Sequence, residues 1–130
     1  MREGGALIDQ VELARQTAGD AALQLELLTL FLAQLTSLAE RIDAATTAPS
    51  EMSAANLPSV LHRVRGAALA VGARDLAIHL GRVEQALTMD PASRSVLEEL
   101  RAQVLKASTL LAHLIAAREG AGLAKAGESR

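Results

Sequence analysis

The chain contains no cysteine, no tryptophan, no tyrosine and a single phenylalanine among its 130 residues. Without cysteine it can make no disulfide, no thiolate metal site and no cysteine nucleophile, which fits a reducing compartment. Thirteen basic against fifteen acidic side chains leave a net charge of -2, and no basic cluster is interleaved with aromatic rings. Nucleic acid is therefore not an expected partner. The opening Met1-Arg2-Glu3-Gly4-Gly5 is too polar for a secretory signal. The longest nearly apolar run, Ala107 to Ala117, includes Ser108, Thr109 and His113 and is too short to span a bilayer. A cytoplasmic protein without membrane insertion is the expectation.

Half of the residues are nonetheless hydrophobic. With so few aromatics, the core must be made of Leu, Ala, Val and Ile, a composition suited to close-packed helices. Length and pattern predict one domain over residues 1–118, because halves of this chain would bury too little, followed by a Gly/Ala-rich, charged tail over 119–130 that frays after Arg118.

Periodicity predicts five helical segments and no strand. A short one, from about Asp9 to Thr17, ends near Gly19, and Asp20 is a good N-cap for a second running to about Ala45. In that second helix Leu28, Phe31, Leu35, Leu38 and Ile42 recur at alternating spacings of three and four, the seam of a bundle. Leu25 and Leu32 flank it on one side, Leu23 and Leu30 on the other. Thr46 to Asn56 reads as a connection. The third helix is expected to start near Leu57-Pro58, since proline suits a first turn, to bury Leu57, Leu61, Val64, Ala68 and Val71, and to stop at Gly72. A fourth, from about Ala73 to Met89, would bury Leu76, Leu80, Val83 and Leu87. Asp90-Pro91 reads as N-cap and first position of a fifth, whose seam is Leu97, Leu100, Val104, Ala107, Leu111 and Leu114. The fold class is all-α: an antiparallel four-helix bundle with a short additional N-terminal helix.

Helical phase singles out one histidine. His62 falls roughly 160° from the centre of the third helix's apolar face, so it projects into water. Gly66 and Leu69 lie further along the same outward stripe, and Arg65 is on its edge within side-chain reach. A mid-helix glycine costs roughly 1 kcal/mol relative to alanine and calls for a compensating reason. Clearance for another protein's backbone beside the imidazole is one; close packing of a neighbouring helix is another. Leu69, with the flanking leucines of the second helix, offers an apolar docking contact. Arg65 is placed to hold a phosphoryl group on His62 by charge-assisted hydrogen bonds. His79 lies beside the fourth helix's seam and reads as structural, His113 as an ordinary surface residue, and Glu98-Glu99 as a complement to a helix dipole.

From about Asp20 to Leu87 the chain resembles the histidine-containing phosphotransfer (HPt) domains of multistep phosphorelays. The family signature is a histidine, two residues, lysine-glycine, a second glycine near the end of the same helix, and a leucine-bearing helix with an acidic residue near its end. Here the matching positions are His62, Arg65, Gly66, Gly72, Leu76 and Glu84, with the apolar second helix bearing Phe31. Arg65 stands where the family usually has lysine, which keeps the charge and widens the donor group. Ala67 and Ala68 stand where serines are common. The resemblance implies that His62 is the phospho-acceptor, Arg65 its phosphoryl support, and Gly66 the adjacent small residue. It implies response-regulator receiver domains and a hybrid histidine kinase as partners, no cofactor or metal on this chain, and Mg2+ only on the receiver.

By that resemblance the chain is a phosphoryl carrier more than a self-contained catalyst. The alternative is a non-phosphorylated helical adaptor of the same fold that docks two-component signalling proteins. A histidine-kinase dimerisation module fits less well. It follows its histidine with an acidic residue and soon a proline, whereas Arg63 follows here and the next proline is Pro91; no ATP-binding segment is present, so no autokinase activity is expected. Other enzymes need a polar constellation that the sequence does not offer.

Overall fold

A computed structural model describes residues 7–47, 51–91 and 93–128, with side chains described over 7–47, 56–91 and 93–121. These residues form five helices and no strand: α1 (Gln10–Gln16), α2 (Ala21–Thr47), α3 (Glu51–Ala70), α4 (Arg74–Met89) and α5 (Arg94–Glu128). The four long helices make the all-α bundle, α2 lying against α5 and α3, and α3 against α4. Contacts at the two ends of the pair show that α2 and α5 run antiparallel. Arg101 Nε donates to Asp43 Oδ1 at 2.6 Å toward one end, and Arg118 Nη1 donates to Gln24 Oε1 at 2.7 Å toward the other.

The seams read from the sequence form the core. Leu28, Phe31, Leu35, Leu38 and Ile42 are buried, as are Leu57, Leu61, Val64 and Ala68 from α3, Val71 just past its end, and Leu76, Leu80, Val83 and Leu87 from α4. On α5 the seam ends on Ile115, with Leu114 only partly covered. By length and composition α2 is also apolar enough to cross a membrane, with mean hydropathy 1.4 in its richest window. Its buried residues, Leu28 to Ala45, are used inside the bundle.

The helix ends are set by local chemistry. Asp9 Oδ1 accepts from the Val11 and Glu12 amides and caps α1. Asp20 does the same for α2 through the Leu23 amide at 3.0 Å. At the end of α3 the Ala73 amide reaches Ala68 O at 2.7 Å and the Gly72 amide reaches Leu69 O at 3.2 Å, with Gly72 at φ +81°. That pair of bonds is a Schellman motif, which requires a left-handed residue at this point. Gly72 also anchors α1, because its carbonyl accepts from the Asp9 amide at 2.8 Å and a Cβ on it would lie 2.7 Å from Asp9 O. The glycine therefore lets α1 dock on the end of α3, with Ile8 and Leu13 driven into the core.

Three boundaries differ from expectation. α3 begins at Glu51, so Pro58 sits inside the helix and the Thr46–Asn56 connection shrinks to the residues between α2 and α3. Proline forfeits one backbone hydrogen bond and crowds the preceding turn; here the apolar anchors Leu57, Val60 and Leu61 on either side hold the helix together. Asp90 closes α4 rather than capping α5, its amide bonding to Ala86 O at 3.0 Å. The cap of α5 is Ser93, whose Oγ lies 3.4 Å from the Val96 amide. Finally, α5 continues past Arg118 to Glu128, since the alanines, leucine, lysine and glutamate there favour helix despite the glycines.

Candidate functional site

The rotation of α3 is fixed by Leu61, Val64 and Ala68, which are sealed in the core. The residue after Leu61 is consequently turned outward. The His62 side chain is 71% exposed. His62, Arg65 and Leu69 share the stripe of α3 that faces α4, at the three- and four-residue spacing that stacks side chains along a helix.

From α4, Glu84 rises beside the buried Val83 and meets this stripe. Its Oε2 lies 3.4 Å from His62 Nδ1, and its Oε1 lies 4.0 Å from Arg65 Nη1. Oε1 is buried and has no hydrogen-bond partner among the described residues. A carboxylate in that position favours the imidazole tautomer with its proton on Nδ1, leaving the Nε2 lone pair free.

Arg65 is held by a glycine. Its Cδ, Nε and Nη1 all lie 3.6 Å from where a Cβ on Gly81 would be, so the guanidinium and its stem lie along the bare backbone of α4. Gly66 behaves differently, because a Cβ built on it meets nothing within 4 Å. Among the described residues no neighbouring helix packs there. Of the two reasons for this glycine, close helix packing is removed, and open space one turn from the imidazole remains.

Leu69 is 47% exposed and lies with Ile78, itself 49% exposed, in an open groove of about 300 Å³ between α3 and α4. Arg65, Gly81, Arg82 and Gln85 also line it. The apolar companion of Leu69 is thus Ile78 of α4; Leu23 and Leu30 of α2 do not line the groove. Sequence reasoning passed over Gly81, Ile78, Arg82 and Gln85. Two signals were there to be read: a second mid-helix glycine, and an isoleucine on the outer side of α4, two residues beyond Leu76.

The other histidines lie outside this arrangement. His79 is half-buried and its Nε2 is enclosed without a partner among the described residues, while His113 is exposed on α5. Among the described residues no group of three or more His, Asp or Glu side chains gathers as a metal site. No protein-family model matches this chain, and no curated protein or solved structure does either.

Proposed function

We propose that this chain is a phosphorelay intermediate of the histidine-containing phosphotransfer kind, accepting a phosphoryl group on His62 from a receiver-domain aspartate and passing it to another receiver. The observation that carries this reading is the grouping of an exposed His62 with Glu84 at Nδ1, Arg65 braced against Gly81 and empty space over Gly66.

In the forward step Nε2 of the neutral imidazole attacks the phosphorus of the aspartyl phosphate. The N–P bond forms as the P–O bond to the aspartate breaks, and the leaving electron pair stays on the aspartate carboxylate. The ring becomes a phosphoimidazolium whose Nδ1 proton faces the Glu84 carboxylate, which offsets the new positive charge. Arg65, 44% exposed at the edge of the site, meets the phosphoryl oxygens. The return step, to a second aspartate, reverses these bonds. Phosphoryl transfer of this kind is mostly positioning and charge stabilisation, so an exposed imidazole with one cation and one carboxylate is sufficient on the carrier's side. The chain carries the group and leaves activation to the receiver.

The test is incubation with phosphorylated receiver domains of the source organism. An acid-labile, base-stable phosphate should form on the wild-type protein and be abolished in His62→Gln. Labelling that persists in His62→Gln removes the site assignment, and no labelling by any receiver makes the chain a non-phosphorylated adaptor.

A further inference from the structure

Across the α3–α4 interface the residues meet in rungs. His62 faces Glu84, with Nδ1 3.4 Å from Oε2; three residues on along α3 and three back along α4, Arg65 faces Gly81. The second rung therefore sets an arginine against no side chain at all. Arg65 Cδ, Nε and Nη1 lie at the same 3.6 Å from the point where a Cβ on Gly81 would stand, so stem and head rest flat on the helix backbone. A side chain longer than one methyl would fill the open groove that Arg65 and Gly81 line, and tip the guanidinium into solvent. The nearest acid leaves the head free as well. Glu84 Oε1 stands 4.0 Å from Nη1, beyond hydrogen-bond reach, and has no hydrogen-bond partner among the described residues.

From these contacts we infer that Gly81 is a positioning residue for phosphoryl transfer, acting through Arg65. This rests on the reading of His62 as phospho-acceptor. Phosphoryl oxygens need a donor that is held in place but not already satisfied. Packing along bare backbone restricts the rotamers of a long side chain, so less entropy is lost when its head grips an anion. A rung without an acceptor leaves the N–H donors of the guanidinium uncommitted. An acid at position 81 would tie Arg65 into an ion pair, and a large apolar residue would displace it; glycine avoids both. The flat rest also favours arginine at position 65, because a planar guanidinium can lie along it, whereas a lysine ammonium is a compact point charge and gains nothing from it.

The experiment measures the rate at which phosphoramidate, a small donor that needs no docking, labels His62 in the whole protein. Gly81→Leu should slow labelling by about two- to fivefold, the range for a partly exposed charge contact, with helical circular dichroism unchanged. Arg65→Ala should slow it by the same factor. In the double variant Gly81→Leu should add nothing to Arg65→Ala, because the glycine acts only through the arginine; a merely structural role would leave the two effects additive. Labelling at the wild-type rate in Gly81→Leu, or a Gly81→Leu defect that persists undiminished in the Arg65→Ala background, overturns the positioning role and leaves the acceptor reading intact. Absence of labelling at His62 in the wild-type protein overturns both.

Discussion

Replacing Gly66 by alanine sets stability against transfer in opposite directions. The added Cβ meets no atom within 4 Å, so it introduces no clash. What remains is backbone entropy: alanine in a helix interior is better than glycine by about 0.8–1 kcal/mol. At about 2.1 cal/mol/K per residue, unfolding entropy for a chain of this size converts that gain into a rise in Tm of about 3 °C. Urea unfolding, followed by circular dichroism, should give the same increment with an unchanged slope. The same methyl group stands one turn from His62, on the side from which a partner approaches. Misplacing a donor by about 1 Å is enough to cost roughly a hundredfold in rate, so receiver-to-His62 transfer should slow by between about ten- and a hundredfold. Phosphoramidate labelling, which involves no protein surface, should hardly change. A more stable Gly66→Ala protein with wild-type transfer would refute clearance as the reason for this glycine. A less stable one would refute the geometry from which the gain was worked.

Glu84→Gln removes the carboxylate charge 3.4 Å from His62 Nδ1; at about 0.2–1 kcal/mol for an exposed ion pair, transfer should slow by up to about fivefold. Imidazole ¹⁵N shifts should show a smaller share of the Nδ1-protonated tautomer, and an unchanged tautomer ratio would count against the positioning role. Gly72→Ala should destabilise by about 2–4 kcal/mol in urea, because a left-handed residue gains a Cβ that meets Asp9 O at 2.7 Å; a loss below about 1 kcal/mol would mean that α1 contributes little. Ala18, at φ +51°, occupies the left-handed position that ends α1, so Ala18→Gly should stabilise by about 1 kcal/mol in the same assay. Hydrogen bonds from Arg15 and Gln16 hold the Glu12 carboxyl below its usual range. The stabilisation from that cluster is therefore present above the ordinary carboxylate pKa and lost as pH falls through the lowered one. Arg15→Ala should return the Glu12 titration, followed by NMR, toward the ordinary value.

The helices and their buried faces were legible because heptad-like spacing is a local property. Leu28 through Ile42 and Leu57 through Val71 are buried as their spacing required. Boundaries were less legible where two local preferences compete. Pro58 looked like a first turn because proline is disfavoured inside helices, yet flanking core contacts outweigh one lost hydrogen bond. Asp90-Pro91 looked like a cap, but Ser93 took that place. At the site, the outward direction of His62 followed from phase alone. Its pairing with Glu84 did not, since that depends on the rotation of α4 against α3.

What the sequence by itself determined is therefore one-dimensional: an all-helical chain without disulfides, the face each helix buries, and a histidine left outside with arginine and glycine as near neighbours. Each of these follows from the 3.6-residue period and from side-chain chemistry within one element. Only the tertiary structure decided what crosses between elements. It put Glu84 at Nδ1 of His62, laid Arg65 along Gly81, joined Leu69 to Ile78 instead of the α2 leucines, and emptied the space over Gly66. The physical reason is that the relative rotation and spacing of packed helices are set by the interlocking of all core side chains together.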